Sequence, residues 1–360
     1  MNSTLEAKRS DTLDAFSVWY SQWHGYVSLI ICAVGIPLNV INIIVLTRKK
    51  MQTPINCILT WLALADMVTM ASYVPFAYHF YCHFPSYSRL SAEKNSSGWM
   101  NYLLVHLNLS ATAHTVSIWL AVTLAVLRHH HINSPAKGGL TRMRRLIRAR
   151  LLILIVFSVS VVLMIPSYLS HSLEEIRFHD NSTGYIFEDW ALGSRHVKPI
   201  KLIALITYSL LAKLVPCVLI IIYGGMLLRT LNITMRNRRR MSSNGVIAGL
   251  HGNHDRSRTT VMLLVVIVLF LLTELPQGIL IMCCVFIKDF FENIYIPLGD
   301  TMDIIALINN SINFVLYCTM SQEFRRTFIN LFCTFSLPKI LHRKPYVSTQ
   351  TNDDRGQMSA

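Results

Sequence analysis

Seven apolar runs, near residues 26–47, 56–81, 99–128, 148–170, 199–228, 259–286 and 297–319, alternate along the chain with short polar or basic stretches. About 20 apolar residues cross a bilayer as a helix, so the pattern predicts seven membrane-spanning helices. A shorter periodicity follows them. Phe324, Phe328, Leu331 and Phe332 recur at helical spacing between Ser321 and Cys333, which predicts an amphipathic helix lying on the membrane surface. The expected fold is an all-α seven-helix bundle with this short eighth helix. Its parts are an outer terminus (1–25), the bundle with its surface helix (26–333) and an inner tail (334–360). Solenoid repeats and low-complexity tracts are absent. No basic start leads into an apolar core at the N-terminus, so no cleavable signal peptide is expected.

Composition agrees with a membrane protein: 52% of residues are hydrophobic, only 14% are charged, and mean hydropathy is +0.43. A soluble domain carries about 25% charged residues. The formal net charge of +14 could suggest nucleic acid, but its distribution argues against it. Basic residues crowd onto the loops 48–55, 128–150, 229–258 and the tail, while the other loops are slightly acidic. Basic loops stay cytoplasmic, so the N-terminus is expected outside a plasma membrane and the tail inside, against anionic lipid. Three glycosylation sequons, at Asn2, Asn95 and Asn181, fall on segments placed outside. Those at Asn108, Asn232 and Asn309 fall within or below the membrane and should be unused. Of eight cysteines, six lie in apolar spans, where a thiol packs as a small hydrophobe. Cys82 sits at the outer end of span two. Cys333 ends the surface helix and is either a palmitoylation site or a plain thiol. No pair has metal-ligand spacing.

The polar residues inside the spans carry the functional signal. Glu274 is the one formal charge between Val261 and Phe286, two residues before Pro276. An ionisable group at that depth is costly and marks a function by default, and the proline predicts a kink beside it. Glu274 serves either a ligand or a switch, or is a protonated structural group bonded to Gln277, His114 or Asn309. Lys213 in span five either pairs with a carboxylate or snorkels. Asn39, Asp66, Ser117, Asn309, Asn310 and Asn313 make the interior a hydrated core.

Asn39, the LALAD run ending at Asp66, Arg128 at the inner end of span three, Pro216, Phe270 six residues before Pro276, and Asn313-x-x-x-Tyr317 come in order. The set resembles the rhodopsin-family G-protein-coupled receptors over residues 26–333. Thr273-Glu-Leu-Pro-Gln-Gly-Ile-Leu280, Pro54-Ile-Asn-Cys-Ile-Leu-Thr60, Tyr73-Val-Pro-Phe-Ala-Tyr-His79 and Leu298-Gly-Asp-Thr-Met-Asp303 resemble the invertebrate myosuppressin and FMRFamide-like neuropeptide receptors. The chain departs from the general pattern in several places. Leu127 replaces the acidic residue before Arg128, His129 the following Tyr, and Phe314 the proline after Asn313. Span four lacks its usual Trp, and no cysteines stand where the outer disulfide forms.

The resemblance implies a peptide ligand ending in Arg-Phe-amide. Candidate contacts are Glu274, Asp300 and Asp303 for the guanidinium, with His114, Gln277 and Tyr73 beside them and further span-two aromatics for the ring. It implies sodium at Asp66, Ser117, Asn309 and Asn313, against a water-bridged network without metal. Arg128, Tyr317, Phe270 and Pro276 would form the switch that engages a heterotrimeric G protein of the Gi/o class, with arrestin as a further candidate partner. No other cofactor is implied. An opsin needs a lysine in span seven and an aminergic receptor an acid in span three; both are missing. A chemosensory receptor for a small molecule is the main rival. A transporter or channel would favour repeats or charge rings, and no phosphate loop, metal motif or nucleophile set suggests an enzyme.

Overall fold

The computed structural model describes residues 2–84, 90–133, 139–178, 181–187, 199–243, 250–287 and 289–333. Side chains of 2–11, 132–133, 234–243, 250–264 and those of 231, 266, 267, 292, 320 and 333 lie outside the description. The tail 334–360 and the side chains of Asn2 and Cys333 are therefore not assigned contacts. Among the described residues seven helices are long and apolar enough to cross a membrane: Thr12–Leu46, Pro54–His83, Ser97–His131, Gly139–Ser170, Pro199–Thr230, Val268–Phe286 and Asn293–Thr319. Each overlaps one predicted run, with the first and fourth starting earlier than predicted and the sixth later.

Helix starts follow local chemistry. Thr53 caps span two by accepting from the Asn56 N–H at 3.1 Å, with Pro54 at the first helical position. Ser321 caps the surface helix in the same way, accepting from Phe324 N–H at 3.2 Å. That helix runs Gln322–Phe328 and continues as a π turn, Ile329–Cys333. Its Phe324 is buried against Tyr317, ring centroids 5.5 Å apart, which fastens it to the end of span seven.

Two features lay beyond the sequence reading. The first helix extends back to Asn2, through the stretch read as an outer terminus. The helix is therefore continuous through residue 26: Ser21, His24, Gly25 and Ser28 continue the buried face that runs on to Cys32 and Asn39. The segment after span four is also not a plain loop. Leu173–Arg177 (β1) and Thr183–Phe187 (β2) form an antiparallel hairpin. Asn181 sits at its turn with φ 59°, a left-handed conformation that asparagine tolerates.

Among the described residues the bundle packs around four apolar clusters, two of which tie most of the spans together. Val45, Leu59, Leu62, Leu120, Leu124, Tyr317 and Phe324 join spans one, two, three and seven to the surface helix. Ile118, Val122, Ala125, Ile220 and Phe270 join spans three, five and six. Span four is the most peripheral, exposing Leu154, Ile155, Phe157, Val159 and Val162. The end of the bundle bearing β1 and β2 is called the hairpin end below, and the opposite end, where Arg128 lies, the basic end.

Candidate functional site

Glu274 is 1% exposed and Lys213 0%. Lys213 Nζ donates to Glu274 Oε2 at 2.5 Å and to Gln277 Oε1 at 2.9 Å. His114 Nε2 lies 2.9 Å from the same Glu274 oxygen. Spans three, five and six therefore meet on one carboxylate beside Pro276. Lys213 is an interior partner, which settles the alternative of a snorkelling lysine, and Gln277 serves Lys213. The arrangement depends on local backbone. A π turn, Tyr208–Leu214, places Lys213 on the inner face. Gly278 lets span five approach, since a Cβ there would lie 3.0 Å from Lys213 Cβ and 3.2 Å from Leu214. Ser209 Oγ donates across the same gap to the Gly278 carbonyl at 3.0 Å. Pro276 brings no N–H to the Leu272 carbonyl, so span six is weakest where the pair holds it.

Nearer the hairpin end a second cluster joins spans one, two and seven. Tyr73 donates to Asp303 Oδ2 at 2.9 Å, and Tyr81 donates to Asp300 Oδ1 at 2.6 Å. His24 Nε2 lies 2.9 Å from the Tyr73 hydroxyl. That hydroxyl has one proton, which Asp303 accepts, so His24 donates from Nε2, and its buried Nδ1 has no hydrogen-bond partner among the described residues. Asp300 and Asp303 share a helix face, and their hydrogen bonds come from neutral phenols. Gly25 permits this geometry: a Cβ there would fall 2.6 Å from Tyr81 Cβ. Phe76 and Phe80 of span two pack instead of lining a cleft. Phe76 stacks on His106 at 4.7 Å, and Phe80 is buried with Met100, Leu103 and Phe187.

The third cluster lies deeper. Ser117 Oγ donates to Asp66 Oδ1 and Asn313 Nδ2 to Asp66 Oδ2, both at 3.0 Å. Asn39 donates to the Asn310 carbonyl at 2.9 Å and the Gly35 carbonyl at 3.1 Å. Asn309 is half-buried, and among the described residues no hydrogen bond joins it to Asp66; span seven contributes Asn310 and Asn313 instead. One carboxylate and a hydroxyl fit a hard monovalent cation, and no cluster of three or more His, Cys, Asp or Glu suited to a metal occurs among the described residues. Further along span three, Arg128 is half-buried at the basic end, and Leu127 packs on the apolar core.

Two candidate glycan sites separate. Asn181 is exposed at the hairpin turn. Asn95 is 3% exposed, and its Nδ2 donates to the Tyr185 carbonyl at 3.2 Å. A glycan on that nitrogen is incompatible with this packing, which corrects the expectation for Asn95. Beside it, burial pushes Lys94 below its ordinary pKa.

His24 was not singled out from sequence, and Tyr81 was expected only among the span-two aromatics facing a ligand ring, not as the donor to Asp300. Small residues spaced three or four apart on either side of residue 26, at Ser21, Gly25 and Ser28, carried the signal for His24.

Seven crossing helices, a surface helix packed on span seven and a carboxylate joined to spans three and seven define a rhodopsin-like G-protein-coupled receptor. The fold matches squid rhodopsin with a TM-score of 0.65 at 15% identity, over 88% of this chain and 87% of that one. Residues 26–335 match the family described as "Serpentine type 7TM GPCR chemoreceptor Srw", and the chain belongs to that family. It is similar to the G-protein coupled receptor dmsr-1 of Caenorhabditis elegans, 29% identical over 87% of this chain and 69% of the relative. The sex peptide receptor of Drosophila melanogaster is 24% identical, over 86% and 72%. The FMRFamide receptor of the same fly is 22% identical over 92% of this chain and 57% of its own length. These are signalling receptors, not enzymes, and the chain is a multi-pass plasma-membrane protein.

Proposed function

We propose that the chain is a receptor for an amidated neuropeptide of the FMRFamide or myosuppressin type, with its hairpin end outside the cell. The observation that carries this reading is the pair Asp300 and Asp303, one helical turn apart, each hydrogen-bonded by a neutral tyrosine. Neutral donors leave the negative charge of the pair uncompensated, which suits an incoming guanidinium. Glu274 differs: its charge is already balanced by Lys213. A ligand arginine therefore docks on Asp303 and Asp300, with His24, Tyr73 and Tyr81 around it. Glu274, His114, Gln277 and Lys213 act as the switch beneath. Two relatives are named for sex peptide and FMRFamide, which supports a peptide.

In this reading the agonist binds more tightly to the conformer with span six displaced, and the population shifts by that difference. Rearrangement of the Lys213–Glu274 pair frees span six to pivot at Pro276. Phe270 then repacks, and Arg128 and Tyr317 meet a heterotrimeric G protein of the Gi/o class, with arrestin following on the same face. Cys333 is proposed as a palmitoylation site that holds the surface helix to the membrane.

The test compares an Arg-Phe-amide peptide with its citrulline analogue on wild type and Asp303→Asn, in cells reporting cyclic AMP and calcium. A charged hydrogen bond is worth about 1.5–3 kcal/mol, so Asp303→Asn should weaken the arginine peptide by about ten- to a hundredfold and the citrulline peptide far less. Equal losses would remove Asp303 from the site. The family description, a chemoreceptor, favours a second reading with a small-molecule ligand. A silent amidated-peptide panel beside a response to small odorants would establish it.

A further inference from the structure

A cavity of about 670 Å³ lies at the basic end, outside the clusters described above. It opens sideways between spans two and four, where they meet the end of span one. Its walls include Cys57, Trp61, Leu146, Leu154 and Phe157, and Arg150 stands among them. Arg150 and Cys57 line the same wall of the cavity. Trp61, Leu154 and Phe157 are exposed, so the opening faces the membrane and not the interior of the bundle.

Charge around this opening is one-sided. Arg48, Lys49 and Lys50 lie on the turn after span one, and Arg142, Arg144, Arg145, Arg148 and Arg150 on the start of span four. Neither 47–60 nor 139–157 contains an Asp or Glu. Arg142 Nη2 donates to the Gln52 carbonyl at 3.2 Å, which ties the two segments together. Arg150 is the last formal charge before an uncharged stretch from Leu151 to Ser172. It therefore stands where headgroups give way to hydrocarbon. A guanidinium at that boundary is matched by a phosphate, and an apolar groove running from it toward the bilayer centre has the shape of an acyl chain.

We propose that this groove binds one anionic phospholipid of the leaflet facing the basic end, its phosphate on Arg150 and one acyl chain between spans two and four. A sterol or a zwitterionic phospholipid would fill the apolar part but leave the cationic rim without net negative charge. The site bridges spans one, two and four, and so it stabilises the otherwise peripheral span four.

The test is native mass spectrometry of the full chain in detergent, titrated separately with phosphatidylserine and phosphatidylcholine. Phosphatidylserine adducts should form at lower concentration. Arg150→Gln should weaken them by about fivefold, the change expected when one basic residue's attraction to anionic lipid is lost. Arg150→Lys should keep most of the binding. Leu154→Trp, which fills the groove, should reduce adducts of both lipids. Arg326→Gln, on the surface helix, should change nothing. Thermal unfolding of each variant shows whether it is folded, and a folded Arg150→Gln with unchanged phosphatidylserine binding would overturn the proposal. Equal uptake of the two lipids, or displacement of phosphatidylserine by inorganic phosphate alone, would overturn it too.

Discussion

At the scale of single residues, the Lys213–Glu274 pair is where electrostatics decide most. Two opposite charges with almost no exposure attract strongly, but each has lost its hydration. Removing one partner leaves the other charged and buried, which costs about 3–5 kcal/mol, whereas removing both is close to neutral. Lys213→Met should therefore destabilise the receptor by about that much, and adding Glu274→Leu should recover most of it. Thermal unfolding in detergent measures both. If the pair is also the switch, the double variant should regain stability while its basal and agonist-driven signalling stay altered. A double variant that signals as wild type does would reduce the pair to a structural role. His114 and Gln277 are then supports, one for each member of the pair.

At the scale of helices, legibility divides along physical lines. The seven spans were visible because a bilayer demands a long apolar run whatever the tertiary structure. The depth of Glu274, Asp66 and Asp303 followed from the same count. Partnerships between spans were harder to see. Which face Lys213 presents depends on the π turn at Tyr208–Leu214, and that turn packs on Gly278 of span six and is tied to it by Ser209, contacts that local propensity does not reveal. His24 lay before the first apolar run because polar residues mask the helical face there. The hairpin was missed because five-residue strands are too short to stand out beside the long spans. Asp66 ties span two to spans three and seven through Ser117 and Asn313, so a sodium ion proposed there would hold three helices in one arrangement. Sodium should then lower agonist affinity in wild type and leave Asp66→Ala unaffected. Radioligand competition with sodium exchanged for a large organic cation reads this directly, and a sodium-insensitive wild type would dismiss the ion.

At the scale of the whole molecule the outstanding question is which end faces out. The chain's basic residues sit mostly at one end, on the loop after span one, the start of span four and the end of span five, and the positive-inside tendency places that end in the cytoplasm. Two consequences can be checked together because the sequons differ in accessibility. Asn181 is exposed at the hairpin turn, whereas Asn95 is buried with its amide nitrogen hydrogen-bonded to the Tyr185 carbonyl. With the hairpin end outside, the mature receptor should carry a glycan at Asn181 and none at Asn95. Endoglycosidase treatment should then increase gel mobility, Asn181→Gln should remove one glycan's worth of that shift, and Asn95→Gln should leave it intact. A wild-type chain with no glycan at Asn181 would put the hairpin end in the cytoplasm. The Asp300–Asp303 cluster would then be out of reach of any extracellular peptide, because the same rigid bundle carries both.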